Sequence, residues 1–142
     1  MLKGIPKNLS PQLVKVLMEM GHGDEIVIAD GNYPGASNAR NLVRADGLGV
    51  PELLESILEL MPLDAYVDEP VALMAVVEGD STVPEIWNEY ERIINEKTSS
   101  PIKIEHMARV DFYERGKKAY AILATGEKAI YANIILKKGV VI

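Results

Sequence analysis

One of the two histidines of this chain stands in a short glycine-flanked segment, Gly21-His22-Gly23-Asp24. The unperturbed pKa of histidine, about 6.5, lets an imidazole give and take protons near neutral pH. Six residues after this tetrapeptide, an apolar segment ends in Asp30, whose carboxylate can accept hydrogen bonds from the hydroxyls of a ligand or help to move a proton. His22 is therefore our candidate acid–base catalyst, and Asp30 is a candidate ligand-binding residue.

Both residues also have purely structural interpretations. An imidazole at the end of a helix can complement the negative helix terminus, and an aspartate at a strand end can close the strand as an Asx turn. The glycines beside His22 favour function, because they let a ligand approach closely, whereas spacing alone favours the structural interpretation of Asp30. An extended strand advances about 3.3 Å per residue, so the two side chains lie far apart unless the glycine-rich start folds back or a neighbouring subunit completes the site.

Three residues in the second half of the chain, Arg109, Tyr131 and Asn133, are further polar candidates. Tyr131 and Asn133 stand two residues apart at the start of an apolar segment, so we expect them to project from one face of a strand. A phenol beside a carboxamide can hold adjacent hydroxyls, and the alternative is a half-exposed edge strand with polar side chains. Arg109 is a candidate fixed cation near the ligand, although a lone arginine on a helix is usually a solvated surface charge.

Composition excludes several classes of function. The chain has 142 residues, which suits one domain spanning residues 1–142, and a formal net charge of -6. The negative charge argues against nucleic-acid partners and against anionic membranes. The absence of cysteine excludes disulfides, thiol catalysis and thiolate metal sites, and two histidines cannot build a three-histidine zinc site. No apolar run reaches membrane-spanning length and no signal-peptide pattern opens the chain, so we expect a cytoplasmic protein.

Helical and fully apolar strand patterns alternate along most of the chain. Helices are predicted after Ser10 and from Pro51, a short helix or turn is predicted at 109–116, and buried strands are predicted at 25–30 and 71–77. Two final strands, 119–124 and 131–136, are predicted to pair as a C-terminal hairpin. This order favours a single-domain α/β fold in which helices cover a mixed, mostly parallel sheet. In such folds, ligands collect at strand ends.

Several ordered motifs, spread nearly from end to end, make this chain resemble the L-fucose mutarotase and D-ribose pyranase family. They are Gly21-His22-Gly23-Asp24-Glu25, Ala29-Asp30, Val43-Arg44-Ala45-Asp46-Gly47, Val76-Val77-Glu78-Gly79-Asp80, Phe112-Tyr113-Glu114-Arg115, Thr125-Gly126-Glu127 and Tyr131-Ala132-Asn133. The Arg-Ala-Asp-Gly and Phe-Tyr-Glu-Arg segments are similar to the fucose mutarotase branch rather than the ribose branch.

The resemblance implies a cofactor-free isomerase that interconverts the anomers of a free sugar such as L-fucose by general acid–base ring opening and closure. It implies that His22 is the proton donor, and that Asp30, Arg109 and the triplet Tyr131, Ala132 and Asn133 bind the monosaccharide. Family members form rings of subunits, commonly paired into decamers, with sites near subunit contacts. In a homo-oligomer of this kind, His22 of one subunit could approach Asp30 of a neighbouring subunit, although the two lie far apart within one chain.

The loop from Asn32 to Ser37 departs from the fucose mutarotase pattern, in which another histidine often appears. Tyr33 is the candidate to take that place, and a changed pocket wall would change the preferred sugar. Two alternatives remain open at this point. One is a D-ribose pyranase, which exchanges pyranose and furanose rings by the same proton shuttling, and the other is a sugar-binding ring protein without catalysis.

Overall fold

Strand β1 (Glu25–Ala29) lies at the centre of the sheet in the computed structural model, which describes residues 1–142. Successive side chains of a strand point to opposite faces. Ile26 and Ile28 accordingly enter one hydrophobic core, while Val27 and Ala29 enter a second core on the other face. A strand that is apolar on both faces needs cover on both, and this explains why the run predicted at 25–30 occupies the middle of the sheet.

Five further strands complete a six-stranded sheet. They are β2 (Leu42–Ala45), β3 (Val71–Met74), β4 (Ile104–Met107), β5 (Ala121–Thr125) and β6 (Ile134–Lys137). The order across the sheet is β2-β5-β1-β6-β3-β4. All neighbours pair in parallel except β6, which runs antiparallel between β1 and β3. This confirms the predicted α/β fold with a mixed, mostly parallel sheet.

Five helices pack against the sheet. They are α1 (Pro11–Glu19), α2 (Gly35–Asn38), α3 (Val50–Leu60), α4 (Ile86–Lys97) and α5 (Arg109–Lys118). Side chains of α1, α3 and α4 form the larger core on one face, and α5 covers the smaller core on the other. Helix α1 begins as predicted, because the Ser10 hydroxyl accepts a hydrogen bond from the backbone N–H of Leu13 at 3.1 Å. No helix in the chain is both long enough and apolar enough to cross a lipid bilayer.

The predicted C-terminal hairpin is wrong. Strands β5 and β6 do not pair with each other, because β1 lies between them and is hydrogen-bonded to both. The connection between the two strands passes over the end of β1, where the carbonyl of Glu127 accepts a hydrogen bond from the N–H of Gly31 at 2.9 Å. The physical reason is that the doubly buried β1 needs a partner on each side, and two neighbouring strands joined by a tight turn would leave one of its edges unpaired.

The strand directions give the sheet two chemically different edges. At the carboxyl edge, β1 is followed by Asp30, β4 by Arg109, and Asn133 immediately precedes β6. At the amino edge, His22 precedes β1 and Asp64 lies before β3. The predicted functional residues are therefore divided between opposite edges of one sheet.

An ion-pair cluster fastens α5 to the sheet. The Arg115 guanidinium donates to Glu25 Oε2 at 2.6 Å and to Glu105 Oε2 at 2.9 Å, so one side chain ties α5 to both β1 and β4. The Arg115 side chain is only 20% exposed, and the low local dielectric strengthens each of these contacts. Because α5 begins at the carboxyl edge with Arg109, this cluster also fixes where that cation lies.

We expect Arg115→Ala to lower the free energy of unfolding by about 2 kcal/mol, because it leaves two partly buried carboxylates without their cation. Urea unfolding monitored by circular dichroism measures the change. Arg92→Ala is the matched control, because Arg92 pairs with Glu96 on the exposed surface of α4 at 3.0 Å, and such pairs contribute at most about 0.5 kcal/mol. Equal losses in the two variants would contradict a special role for the Arg115 cluster.

Candidate functional site

A cavity of about 300 Å³ opens at the carboxyl edge of the sheet, beside the ends of β1 and β3. Its polar lining residues are Asp30, Asn32, Asp80, Arg109, Asn133 and the tyrosines Tyr33, Tyr113 and Tyr131. Its apolar lining comes from Met74, Val77 and Ile130. The volume is at the lower end of the range of small-molecule sites, and the mixture of apolar walls with a few convergent polar groups is typical of them.

Asp30 is buried at the end of β1, and its backbone N–H donates to Asn133 Oδ1 at 2.7 Å. Its Oδ1 accepts the backbone N–H of Asn32 at 2.9 Å, so the predicted Asx turn is present. Burial raises the pKa of the Asp30 carboxyl above its ordinary value, and the N–H groups of Asn32, Tyr33 and Ala132 offset this only in part. The structural and functional interpretations of Asp30 are therefore compatible, since one carboxylate closes the strand and also lines the cavity.

Tyr131 reaches the cavity through an unusual backbone conformation rather than from a strand. Its φ of 57° is the only positive value at a non-glycine residue of the chain, and such outliers concentrate at functional sites. The phenol donates to Asp80 Oδ2 at 2.6 Å, and this hydrogen bond raises the pKa of Tyr131. Strand β6 begins only at Ile134, so the prediction that Tyr131 and Asn133 share a strand face is wrong although both line the cavity.

Ala132 and its neighbours are held by α4. Ala132 is fully buried, and its carbonyl accepts the Tyr90 hydroxyl at 2.7 Å. The carbonyl of Tyr131 accepts Trp87 Nε1–H at 2.8 Å. Ala132 does not line the cavity, so its side chain has no access to a ligand. What this residue offers the site is its backbone, which fixes the residues on either side.

His22 lies outside this cavity, in the turn before β1 at the amino edge. Its side chain is 48% exposed, and Nε2 lies 3.1 Å from Oδ1 of the buried Asp64. The Tyr66 ring packs at 5.4 Å from the imidazole. Burial by itself would raise the pKa of Asp64, but hydrogen bonds from the Tyr66 N–H and His22 hold it below its ordinary value. Through this contact Asp64 can accept from Nε2–H, and Nδ1 is then the ring nitrogen that remains for another partner.

The structure thus brings together four of the predicted site residues, Asp30, Arg109, Tyr131 and Asn133. It places His22 at the far end of β1, roughly 20 Å away at the ordinary rise of a strand. The glycine-rich start of β1 does not fold back toward Asp30, because Gly23 N–H donates to the carbonyl of Lys138 at the amino edge at 2.9 Å. The first of the two routes left open by the sequence, a start of β1 that folds back, is therefore not found within the subunit.

Three residues of the two clusters were missed by sequence reasoning: Asp64, Asp80 and Tyr113. A signal existed for the first two. Residues that follow parallel strands meet at one edge, and this rule, applied to β3 as it was to β1, identifies Asp80. The same rule at the opposite edge places Asp64, which precedes β3, near His22. Tyr113 gave no signal, because only the packing of α5 on the sheet turns it toward the cavity.

Comparison with known proteins gives consistent results. Residues 3–141 match the RbsD / FucU transport protein family. The sequence is 48% identical to the human fucose mutarotase, covering 98% of this chain and 94% of that protein. It is 49% identical to the L-fucose mutarotase of Haemophilus influenzae (strain 86-028NP), covering 99% and 97%. The crystal structure of the fucose mutarotase from Streptococcus pneumoniae in complex with L-fucose superimposes with a TM-score of 0.95 at 61% identity, covering 99% of this chain and all of that one.

The buried Asp30 generates a prediction about pH. Because its folded-state pKa is raised above the ordinary 3.8, the folded protein binds this proton more tightly than the unfolded chain does. The resulting stabilisation is complete below the unfolded pKa and is lost as the pH rises through the folded pKa. The free energy of unfolding of the wild type, minus that of Asp30→Asn, should therefore fall as the pH rises through this window and stay constant above it.

Urea unfolding at a series of pH values measures this difference, and carbon-13 NMR of the Asp30 carboxyl gives its midpoint directly. Asp46→Asn is the control with the opposite sign, because the exposed Arg44 holds the pKa of Asp46 below its ordinary value. An Asp30 midpoint at or below the ordinary value would contradict the assignment.

Proposed function

The chain belongs to the RbsD / FucU transport protein family, and from this membership we propose that it is an L-fucose mutarotase. It is an isomerase that interconverts the α and β anomers of the free sugar. The observation that carries this proposal is the convergence of a carboxylate, a guanidinium, a phenol and a carboxamide on one cavity of about 300 Å³. The fucose mutarotases to which the chain is similar support this reading over the ribose and non-catalytic alternatives.

The cavity residues bind and orient the sugar. Oδ1 of Asp30 is held by the Asn32 N–H, and the carboxyl lines the cavity, where it can also accept from a sugar hydroxyl. Asn133 uses its oxygen to hold the backbone of Asp30, which leaves its amide N–H groups to donate. Arg109 supplies a fixed cation with several donors. Together these groups offer both acceptors and donors, as a molecule with several hydroxyls requires.

His22 carries the proton. Mutarotation removes the proton from the anomeric hydroxyl and places one on the ring oxygen as the bond between that oxygen and the anomeric carbon breaks. After rotation, the ring closes on the other carbonyl face and both transfers reverse. No electrons or charge are gained or lost overall, so proton transfer is all the chemistry that the reaction needs. The imidazole of His22, oriented by Asp64 at 3.1 Å, accepts the proton through Nδ1 and returns it to the ring oxygen.

The two edges must then meet between subunits. The exposed ring of Tyr66 packs against His22 at the amino edge, and the exposed Ile130 lines the cavity at the carboxyl edge. Two different surfaces that meet head to tail generate a closed ring when the rotation between subunits permits. We therefore propose a homo-oligomeric ring, paired into a decamer, in which His22 of one subunit faces the cavity of the next.

Saturation-transfer NMR on free sugars tests the activity. Exchange between the anomers of L-fucose is the expected result. Exchange between ring sizes of D-ribose alone would instead identify a pyranase, and binding without exchange would identify a sugar-binding protein. Light scattering tests the assembly separately, and a monomer at the concentration of the assay would contradict the proposed ring.

We expect His22→Ala to reduce kcat for L-fucose anomer exchange by about 10²–10⁴-fold, the usual contribution of a general acid–base group. The sugar should still bind, because its binding residues lie at the other edge. His106→Ala is the matched control, because His106 lies on β4 against the Trp87 ring, 5.0 Å away, and does not line the cavity. An anomer exchange rate equal to wild type in His22→Ala would overturn the role of the imidazole.

Mixing inactive variants tests whether each site is shared. His22→Ala and Asp30→Asn damage opposite edges of the subunit, so only a mixed oligomer can pair an intact His22 edge with an intact cavity. Unfolding and refolding the two variants together in equal amounts should restore activity at about a quarter of the sites, since each edge is intact with a probability of one half. A mixture no more active than the separate variants would contradict a shared site.

A further inference from the structure

The hydroxyl of Tyr33 is buried without a hydrogen-bond partner, and it is the only buried side-chain nitrogen or oxygen of the chain in this condition. The residue is 8% exposed. The amide of Asn38 comes near the hydroxyl without forming a hydrogen bond. Buried polar groups are nearly always paired, so each exception calls for an explanation. A phenylalanine would fill the same space without leaving a polar atom unpaired.

The hydroxyl lies in a notch that exists only because residue 116 of α5 is glycine. A Cβ atom built on Gly116 would overlap the Tyr33 hydroxyl oxygen, and it would lie 3.4 Å from Cζ of the Tyr33 ring. A glycine inside a helix is less favourable than alanine by about 1 kcal/mol. The two unfavourable features are therefore linked: the unpaired Tyr33 hydroxyl occupies the space that a side chain at the helical Gly116 would fill.

Tyr33 forms a wall of the candidate site. Its ring meets the rings of Phe112 and Tyr113 edge-on, at 6.3 and 5.3 Å. It lines the sugar cavity and also a neighbouring cavity of about 400 Å³, and Asp30 is the one other residue that the two cavities share. The Tyr33 ring thus separates the two spaces, and its backbone N–H donates to the carbonyl of Asp30 at 3.3 Å.

We propose that Tyr33 is a positioning residue whose seat in the Gly116 notch sets the width of the sugar cavity and the placement of Asp30 against α5. Its hydroxyl makes no hydrogen bond to the sugar. Burial raises the pKa of Tyr33 to about 12, so the phenol stays protonated at neutral pH and is no proton acceptor. For the effect on sugar binding, the proposal rests on the proposed function, whereas the fit between Tyr33 and Gly116 does not.

Three variants test the notch. Gly116→Ala should push the ring toward Asp30 and raise KM for L-fucose anomer exchange about tenfold or more, with a smaller change in kcat. Tyr33→Phe should keep the ring in the same place and raise the melting temperature by about 2–4 °C, because the unpaired hydroxyl is gone. The double variant should recover KM to within about threefold of wild type, because the new Cβ then meets only the ring carbon at 3.4 Å and Val27 Cγ2 at 3.7 Å, which are ordinary van der Waals contacts.

The melting temperatures of the same three variants are measured without sugar. They therefore test the fit between Tyr33 and Gly116 separately from the proposed mutarotase activity. Gly116→Ala should melt below the wild type, and adding Tyr33→Phe should restore it. Tyr120→Phe is the matched control, because the Tyr120 hydroxyl donates to Glu19 Oε2 at 2.7 Å on the exposed surface, so its loss should not raise the melting temperature. If the wild type showed no anomer exchange, the proposed function would be overturned, but the comparison of melting temperatures would still test the fit between Tyr33 and Gly116.

Two outcomes would overturn the role of Tyr33. One is a double variant as impaired as Gly116→Ala in both KM and melting temperature, which would mean that the added methyl acts elsewhere. The other is a loss of about tenfold or more in kcat/KM for Tyr33→Phe alone, which would mean that the hydroxyl contacts the sugar. The value of kcat/KM for Tyr33→Phe can be measured even when Gly116→Ala does not fold.

Discussion

Strand β1 is hydrogen-bonded to β5 on one side and to β6 on the other, and its residues from Ile26 to Ala29 are fully buried on both faces. Such a strand can neither bend nor slip without breaking two ladders and exposing two cores. It therefore acts as a rigid spacer at about 3.3 Å per residue. The separation of His22 from Asp30 within one subunit follows directly from this constraint.

The two edges of the sheet give the candidate residues different environments. The His22–Asp64 pair lies at the surface, where a half-exposed imidazole stays solvated, while the cavity keeps Asp30 buried. In the proposed ring, these two groups meet only when subunits assemble. Under that proposal, assembly would exclude water from the reacting centre as well as complete it.

The cavity concentrates the departures from ordinary local rules. Tyr131 adopts a left-handed backbone conformation that bulky residues avoid, and the Tyr33 hydroxyl is left unpaired. Elsewhere buried polar groups are satisfied, as where Thr125 Oγ1 donates to the carbonyl of Ala29 at 2.8 Å. Proteins tolerate such departures where the surrounding packing holds them and function gains from them. Their clustering supports the assignment of the site independently of sequence similarity.

The amino-acid sequence by itself determined the α/β class, the central buried strand, the helix starting after Ser10, and four of the polar residues that line the cavity, which are Asp30, Arg109, Tyr131 and Asn133. These follow from local signals such as apolar periodicity, capping residues and strand-end positions. Only the tertiary structure decided that β1 separates β5 from β6, that Tyr131 and Asn133 meet through a turn rather than a strand, and that Tyr113 joins them at the cavity. Strand order and helix packing depend on contacts between residues far apart in the chain, which no local pattern encodes.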